Sequence, residues 1–198
     1  MADKIKLHTF GCSFTYGTSC IDPVNECWPA RLANMLNIEC INYGIEGASN
    51  DGIFKTLCNN ISNISTQDIV IVMMTKSSRR FFRGKNVNPN SSGVIANKFY
   101  KHLHDEESDC LNFLQNYNAM HNILLNYKYI ITFMDAKPLL EANRFSLGAV
   151  AKPNSKTYVP KNLNFTKYIE NVDNLHPSTE GHLKIARDIY DRVSKLTK

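Results

Sequence analysis

Ser13, Asp173 and His176 are residue types that can perform nucleophilic catalysis when brought together. A hydroxyl nucleophile needs a base to take its proton. The base in turn needs a carboxylate to hold its tautomer. Ser13 lies in Phe10-Gly11-Cys12-Ser13-Phe14-Thr15, directly after a short apolar run. His176 lies in Asp173-Asn174-Leu175-His176-Pro177, directly before the last helical pattern. Three-residue spacing in a turn lets the Asp173 carboxylate reach the imidazole. Pro177 pushes His176 away from helical backbone angles. Ser178 is placed to cap the final helix, with Glu180 favourable in its first turn. Taken singly, each pattern is common as a turn or a cap. Together, at opposite ends of one α/β pattern, they point to acyl-transfer chemistry.

The elements that must position these residues follow from periodicity. Ile5–Phe10 reads as a strand ended by Gly11, and 38–41 as a second. Ile69–Met74 is continuously apolar and β-branched, as a parallel strand covered on both faces requires. Tyr129–Met134 is the next strand, and Thr157-Tyr158-Val159 is the best candidate for a fifth. Between them, Trp28, Leu32, Met35 and Leu36 fit one helical face, as do Ile53, Phe54, Leu57 and Ile61. Residues 107–126 and 182–196 carry the same spacing, 79–95 read as a long polar loop, and 135–164 as irregular chain. Alternating strands and helices predict an α/β domain with a parallel sheet. Such sheets bind ligands at the carboxyl ends of their strands, which selects loops 11–18, 43–50 and 75–80.

At this point the chain resembles the SGNH hydrolases, the GDSL-like esterases and lipases. Their first block, Gly-Asp-Ser-x-(Ser/Thr), is matched by Gly11-Cys12-Ser13-Phe14-Thr15 with Cys12 in place of Asp. Their second, Asn-x-Gly-x-x-Gly, is matched by Asn42-Tyr43-Gly44-Ile45-Glu46-Gly47. Their last, Asp-x-x-His, is matched by Asp173 and His176. The resemblance spans residues 5–190. It implies one domain over 1–198, built as a flavodoxin-like three-layer α/β/α sandwich with a mostly parallel sheet of about five strands. It implies a serine esterase with Ser13 as nucleophile, His176 as base and Asp173 as orienter. The implied oxyanion hole uses the N–H groups of Ser13 and Gly44. The third block departs: Gly-x-Asn-Asp is replaced by Thr75-Lys76-Ser77-Ser78, where Ser77 aligns with the Asn, Thr75 or Lys76 could also donate, and the alternative is a weak oxyanion hole. Losing one such donor costs ~10²–10³ in rate. That departure keeps open a non-catalytic binding module on the same fold. A nucleotide or phosphate binder using loop 11–18 is a third reading, opposed by the absence of G-x-x-x-x-G-K-(S/T) and G-x-G-x-x-G.

Asn50, Arg79 and Arg80 follow the second and third loops and are candidates for substrate binding, the arginines toward an anionic group. The expected substrate is a small-molecule or carbohydrate ester, such as an O-acetyl group. The chemistry needs neither a metal nor an organic cofactor. His102-x-His104-Asp105 reads as a solvated charged stretch rather than a metal site.

Composition bounds the rest. The chain has 198 residues, 43% hydrophobic and 21% charged, an ordinary globular balance. A formal charge of +5 with dispersed Lys and Arg argues for no nucleic-acid partner. No apolar run approaches ~20 residues, and no secretory leader is evident, so no membrane partner is expected. A cytoplasmic or virion-carried protein fits, with the oligomeric state left open. The six cysteines form no C-x-x-C pair, and reduced thiols are expected, with Cys40 and Cys58 as small core residues.

Overall fold

The structure, a computed structural model, describes residues 4–89, 93–145, 156, 165–169 and 175–194. The chain begins with β1 (Lys6–Gly11), α1 (Ser13–Tyr16), α2 (Pro23–Glu26), α3 (Trp28–Leu36) and β2 (Glu39–Gly44). It continues through α4 (Asn50–Asn60), β3 (Ile69–Met74), β4 (Arg80–Phe82), β5 (Lys85–Val87) and α5 (Val94–His102). Last come α6 (Glu106–Ile123), β6 (Lys128–Phe133), α7 (Lys137–Glu141) and α8 (Thr179–Val193).

The main sheet is parallel with strand order β2-β1-β3-β6. Four strands are seen among the described residues, against about five expected. The fifth candidate, Thr157–Val159, lies outside them. From β1 the chain crosses to one side to make β2, then to the other to make β3. The carboxyl end of β1 is therefore the switch point where such sheets bind ligands. Gly11, the last residue of β1, lies opposite Gly44, the last of β2.

The expected α/β architecture is what the chain forms. β3 is buried at all six positions, which is why its sequence carries no polar alternation. Helices flank the sheet in two sets, α3 against α8 and α4 against α6. Phe10 stacks on Tyr43 across β1 and β2 with ring centroids 4.6 Å apart. Phe113 and Tyr117 of α6 cover Phe133 of β6. Trp28, Leu32, Ile185, Ala186 and Ile189 are buried between α3, α8 and the sheet. All six cysteines are free. Cys58 is exposed, contrary to expectation: Ile53 and Leu57 face the core, and one further helical step turns Cys58 outward.

Most of the described residues of 79–95, the segment expected to be polar loop, lie in regular elements. Its first part is the antiparallel hairpin β4–β5. Arg83 (φ 48°) and Gly84 (φ 79°) form its two-residue turn, the left-handed pair that matches strand twist. α5 follows it. Asp51 anchors this insertion. Its Oδ1 accepts from Asn112 Nδ2 and Asn116 Nδ2, both at 2.9 Å, and its Oδ2 accepts from Phe81 N at 3.2 Å. One carboxylate thus ties α4, β4 and α6 together. Asp51→Ala is expected to lower stability by about 2–3 kcal/mol, because it leaves part-buried amide donors without an acceptor. Urea unfolding measures this; an unchanged midpoint would remove Asp51 from the account of how the hairpin is held.

Candidate active site

Gly11 ends β1, and the chain turns at once into α1. A Cβ at Gly11 would fall on the Thr15 side chain, so the tight strand-to-helix turn requires glycine. Cys12 caps α1 and its carbonyl accepts from Thr15 N and Tyr16 N, both at 2.9 Å. Ser13 is the first helical residue, 4% exposed. Its N–H has no intrahelical acceptor, as for every first-turn amide, and none is found among the described residues. Gly17 (φ 98°) closes the turn, donating to Ser13 O at 3.0 Å.

His176 approaches from the other end of the chain. Its Nε2 lies 3.0 Å from Ser13 Oγ, and its ring packs 5.9 Å from that of Phe14. Pro177 is buried behind it, and Ser178 Oγ accepts from Gly181 N at 3.1 Å, capping α8 as expected. Thr179 Oγ1 donates to Glu26 Oε2 at 3.3 Å, fixing the start of α8 to α2. Ser13 thus opens α1, and His176 lies in the turn two residues before Ser178, the cap of α8. Asp173, the expected orienter, lies outside the described residues.

His182 sits one turn into α8, fully buried. Its Nδ1 accepts from Trp28 N at 3.2 Å, which fixes the proton on Nε2. Burial pushes its pKa down to about 4, with Arg31 and His176 acting in the same direction. A histidine neutral in the fold and titrating near 6.5 when unfolded binds fewer protons in the native state. Its stabilisation is full above about pH 6.5 and is lost as pH falls toward 4. About 3 kcal/mol of stability is expected to disappear over that window. His182→Gln should flatten the dependence of the urea midpoint on pH between 7 and 4.5; an equally steep dependence in the variant contradicts the assignment.

The second loop arrives beside Ser13. Asn42 Nδ2 donates to Thr15 O at 2.8 Å, and Asn42 Oδ1 accepts from Gly44 N at 2.9 Å. The Gly44 N–H expected in the oxyanion hole therefore has an internal acceptor. What Gly44 provides is room, since a Cβ there would run into the backbone of Thr15 and Tyr16. Three residues on, Ala48 N donates to Ile45 O at 3.1 Å and closes a turn with Gly47 (φ 70°) at its third position. The Gly47 N–H has no acceptor among the described residues, and nothing crowds its α-carbon. Thr18 Oγ1 donates to Glu46 Oε1 at 2.6 Å and holds this turn against the nucleophile loop. Of the two glycines in the Asn-x-Gly-x-x-Gly block, the sequence expectation names Gly44, whereas the N–H without an acceptor among the described residues is that of Gly47.

The remaining candidates have other partners. Asn50 is buried and pairs both ends of its amide with the Thr75 backbone, Oδ1 with N at 2.9 Å and Nδ2 with O at 3.2 Å. Thr75 Oγ1 points at Met134 Sδ, 3.8 Å away. The Thr75 N–H is therefore already engaged, and its hydroxyl has only a weak thioether acceptor. Ser77 lines a cavity of about 270 Å³ with Ser78, His104 and Asp135, in which neither Ser13 nor His176 takes part. Arg79 Nη1 donates to Ala48 O at 3.4 Å. Arg80 pairs with buried Asp109 at 2.9 Å, and His104 Nε2 meets the other oxygen of that carboxylate at 2.7 Å. Of the stretch expected to be solvated, His102, Asp105, Glu106 and Glu107 are exposed, and His104 turns in to the Asp109 carboxylate.

No protein-family model and no curated protein matches the chain. Solved structures share its fold. A member of the lipolytic G-D-S-L family from Veillonella parvula superposes with a TM-score of 0.57 at 15% identity, over 94% of this chain and 97% of that one. A family 2 carbohydrate esterase with a carbohydrate-binding domain, from Corynascus thermopiles (Myceliophthora fergusii), gives 0.60 at 12% identity, over 100% and 68%. A third gives 0.57 at 11% identity, over 98% and 66%; it is a carbohydrate esterase whose active site displays divergent catalytic and non-catalytic binding functions. The fold is that of the GDSL-like lipolytic proteins and family 2 carbohydrate esterases.

Proposed function

We propose that the chain is a serine esterase acting through an acyl-enzyme on Ser13. The observation that carries this is the 3.0 Å approach of His176 Nε2 to Ser13 Oγ, made across the whole length of the chain at the sheet's switch point. Ser13 Oγ attacks the ester carbonyl while its proton passes to Nε2. Collapse of the tetrahedral adduct expels the alcohol, which takes that proton. Water then attacks the acyl group through the same base, and the proton returns to Ser13. Asp173 holds the imidazole tautomer. The Ser13 and Gly47 N–H groups receive the oxyanion, with no side-chain donor from the third loop. The substrate is a small-molecule or carbohydrate ester, O-acetyl groups included, a reading supported by the carbohydrate esterases that share the fold.

A second reading is a ligand-binding module. It is favoured by the engagement of Thr75 with Asn50, which leaves the usual third donor unreplaced. Intact-mass analysis after fluorophosphonate treatment separates the two. A single adduct on the wild type, absent from Ser13→Ala, is the expected result. A folded wild type that takes no adduct would sink the esterase reading.

A further inference from the structure

Positions 69–104 hold seven Lys or Arg residues and no Asp or Glu. The whole chain has 23 basic residues against 18 acidic, so outside this segment the balance is sixteen against eighteen. The positive charge of the protein is therefore regional. It arises less from clustered bases than from missing acids. Arg80 is neutralised by Asp109. Arg83, Lys85, Lys98 and Lys101 form no ion pair among the described residues.

The same segment exposes apolar side chains. The hairpin β4–β5 and α5 enclose a groove of about 370 Å³. Phe82, Val94, Ile95, Phe99 and Leu103 line it, and its charged lining residues are Arg83 and Lys98. Val94 is 70% exposed, Leu103 65%, Ile95 41% and Phe82 37%. Such residues scattered singly would mean nothing; gathered on one face they mark an interaction surface. Ile95, Phe99 and Leu103 recur at four-residue steps, so one side of the helix segment is apolar. That side is not packed into the core: Ile95 and Leu103 are exposed, and Phe99 meets only the Phe82 ring of β4 at 6.1 Å among the hairpin's aromatic rings. Lys98 lines the same groove.

The surface is preformed. Tyr100 Oη donates to Ser78 O at 2.5 Å and is 3.1 Å from Val87 O, joining α5 to the hairpin. Asn86 Oδ1 accepts from Ser49 N and Ser49 Oγ, both at 2.9 Å, joining the hairpin to α4.

We propose that the hairpin–α5 face docks the protein onto membrane surfaces rich in acidic lipid. Val94, Ile95, Leu103 and Phe82 enter between headgroups, and Arg83 and Lys98 meet the lipid phosphates. An apolar helix face bordered by cations is the pattern of an interfacial helix, and the absence of acids removes the repulsion such a surface would otherwise impose. A nucleic acid would use the cations and aromatic rings but would gain nothing from bare Val94 and Leu103. Docking of this kind needs no membrane-spanning helix; among the described residues none is long and apolar enough to cross. It departs from the sequence expectation of no membrane partner, and it does not depend on the esterase reading, because the test reads binding alone.

The test is flotation of the full chain with vesicles of phosphatidylcholine, and with vesicles of phosphatidylcholine mixed with phosphatidylglycerol. Partition into the anionic vesicles is expected to exceed that into neutral ones by at least about tenfold and to fall with added salt. Neutralising Lys98 or Arg83 to Gln should weaken it about fivefold each. Val94→Ser with Leu103→Ser, both at exposed positions, should abolish it while circular dichroism stays unchanged. Equal partition into both vesicles, or into neither, overturns the proposal. So does full binding by the Val94→Ser, Leu103→Ser variant, which would indicate a site for soluble polyanions. Self-association of the chain that is lost with the same serine variant assigns the face to a second copy instead.

Discussion

His176→Asn is expected to reduce ester turnover by about 10⁴-fold or more, with little change in the urea midpoint. Asparagine fills similar space but cannot take and return a proton near neutrality. Ser13 would then have to lose its proton to water during attack. The base is half-buried against Phe14, so the swap disturbs packing little. The loss should fall on kcat rather than KM, because the imidazole acts when the proton moves and contributes little to ground-state binding. Fluorophosphonate labelling should slow in parallel, since phosphonylation needs the same activated oxygen. Turnover within tenfold of wild type would show that His176 is a neighbour of Ser13 and not its base. Unchanged ligand affinity with no turnover in either protein would favour the binding module.

How far the sequence reveals this site depends on which interactions are local. β3, α3, α6 and α8 were readable because each buries a stripe or a whole strand, and burial imposes a period on the sequence. The hairpin was not readable. Its strands are three residues long and pair with each other, and its turn uses Arg83-Gly84 rather than a strong turn pair. α5 was missed for the opposite reason. Its apolar residues are present, but they point outward, so no core predicts them. The site divides the same way. Ser13 and His176 follow from local turn and cap chemistry that survives in sequence. Asn50 at the start of α4, and Thr75, Arg79 and Arg80 at or next to strand ends, are polar residues, and only the folded arrangement shows that each is already paired. Polar residues at the rim of a parallel sheet serve ligands or bind the loops to one another. Sequence alone does not separate these uses, because both need the same side chains.

Gly44→Ala is the substitution that separates room from hydrogen bonding at the second loop. Alanine retains the backbone N–H, so a residue needed only as a donor would tolerate it. The added Cβ, however, would meet the Tyr16 N and the Thr15 carbonyl carbon, which are backbone and cannot swing aside. Either α1 or the end of β2 must move. Overpacking of this kind costs about 1–3 kcal/mol, and a rigid backbone neighbour places this position at the upper end. Moving α1 also moves Ser13. A shift near 1 Å in a reacting group costs about 10²-fold, so turnover is expected to fall by about that factor in the variant that remains folded. Gly47→Ala is the control. Nothing surrounds its α-carbon, and the cost there is the strain of alanine at φ 70°, about 1–2 kcal/mol. The two alanine variants should therefore differ most in fluorophosphonate labelling rate at a temperature where both are folded. Gly44→Ala should label slowly because its nucleophile is displaced, whereas Gly47→Ala keeps Ser13 and His176 in place and should lose rate only as far as its turn shifts one oxyanion donor. Wild-type labelling by Gly44→Ala would mean that β2 yields rather than α1, and that the nucleophile's position does not depend on the close approach of Gly44 to α1.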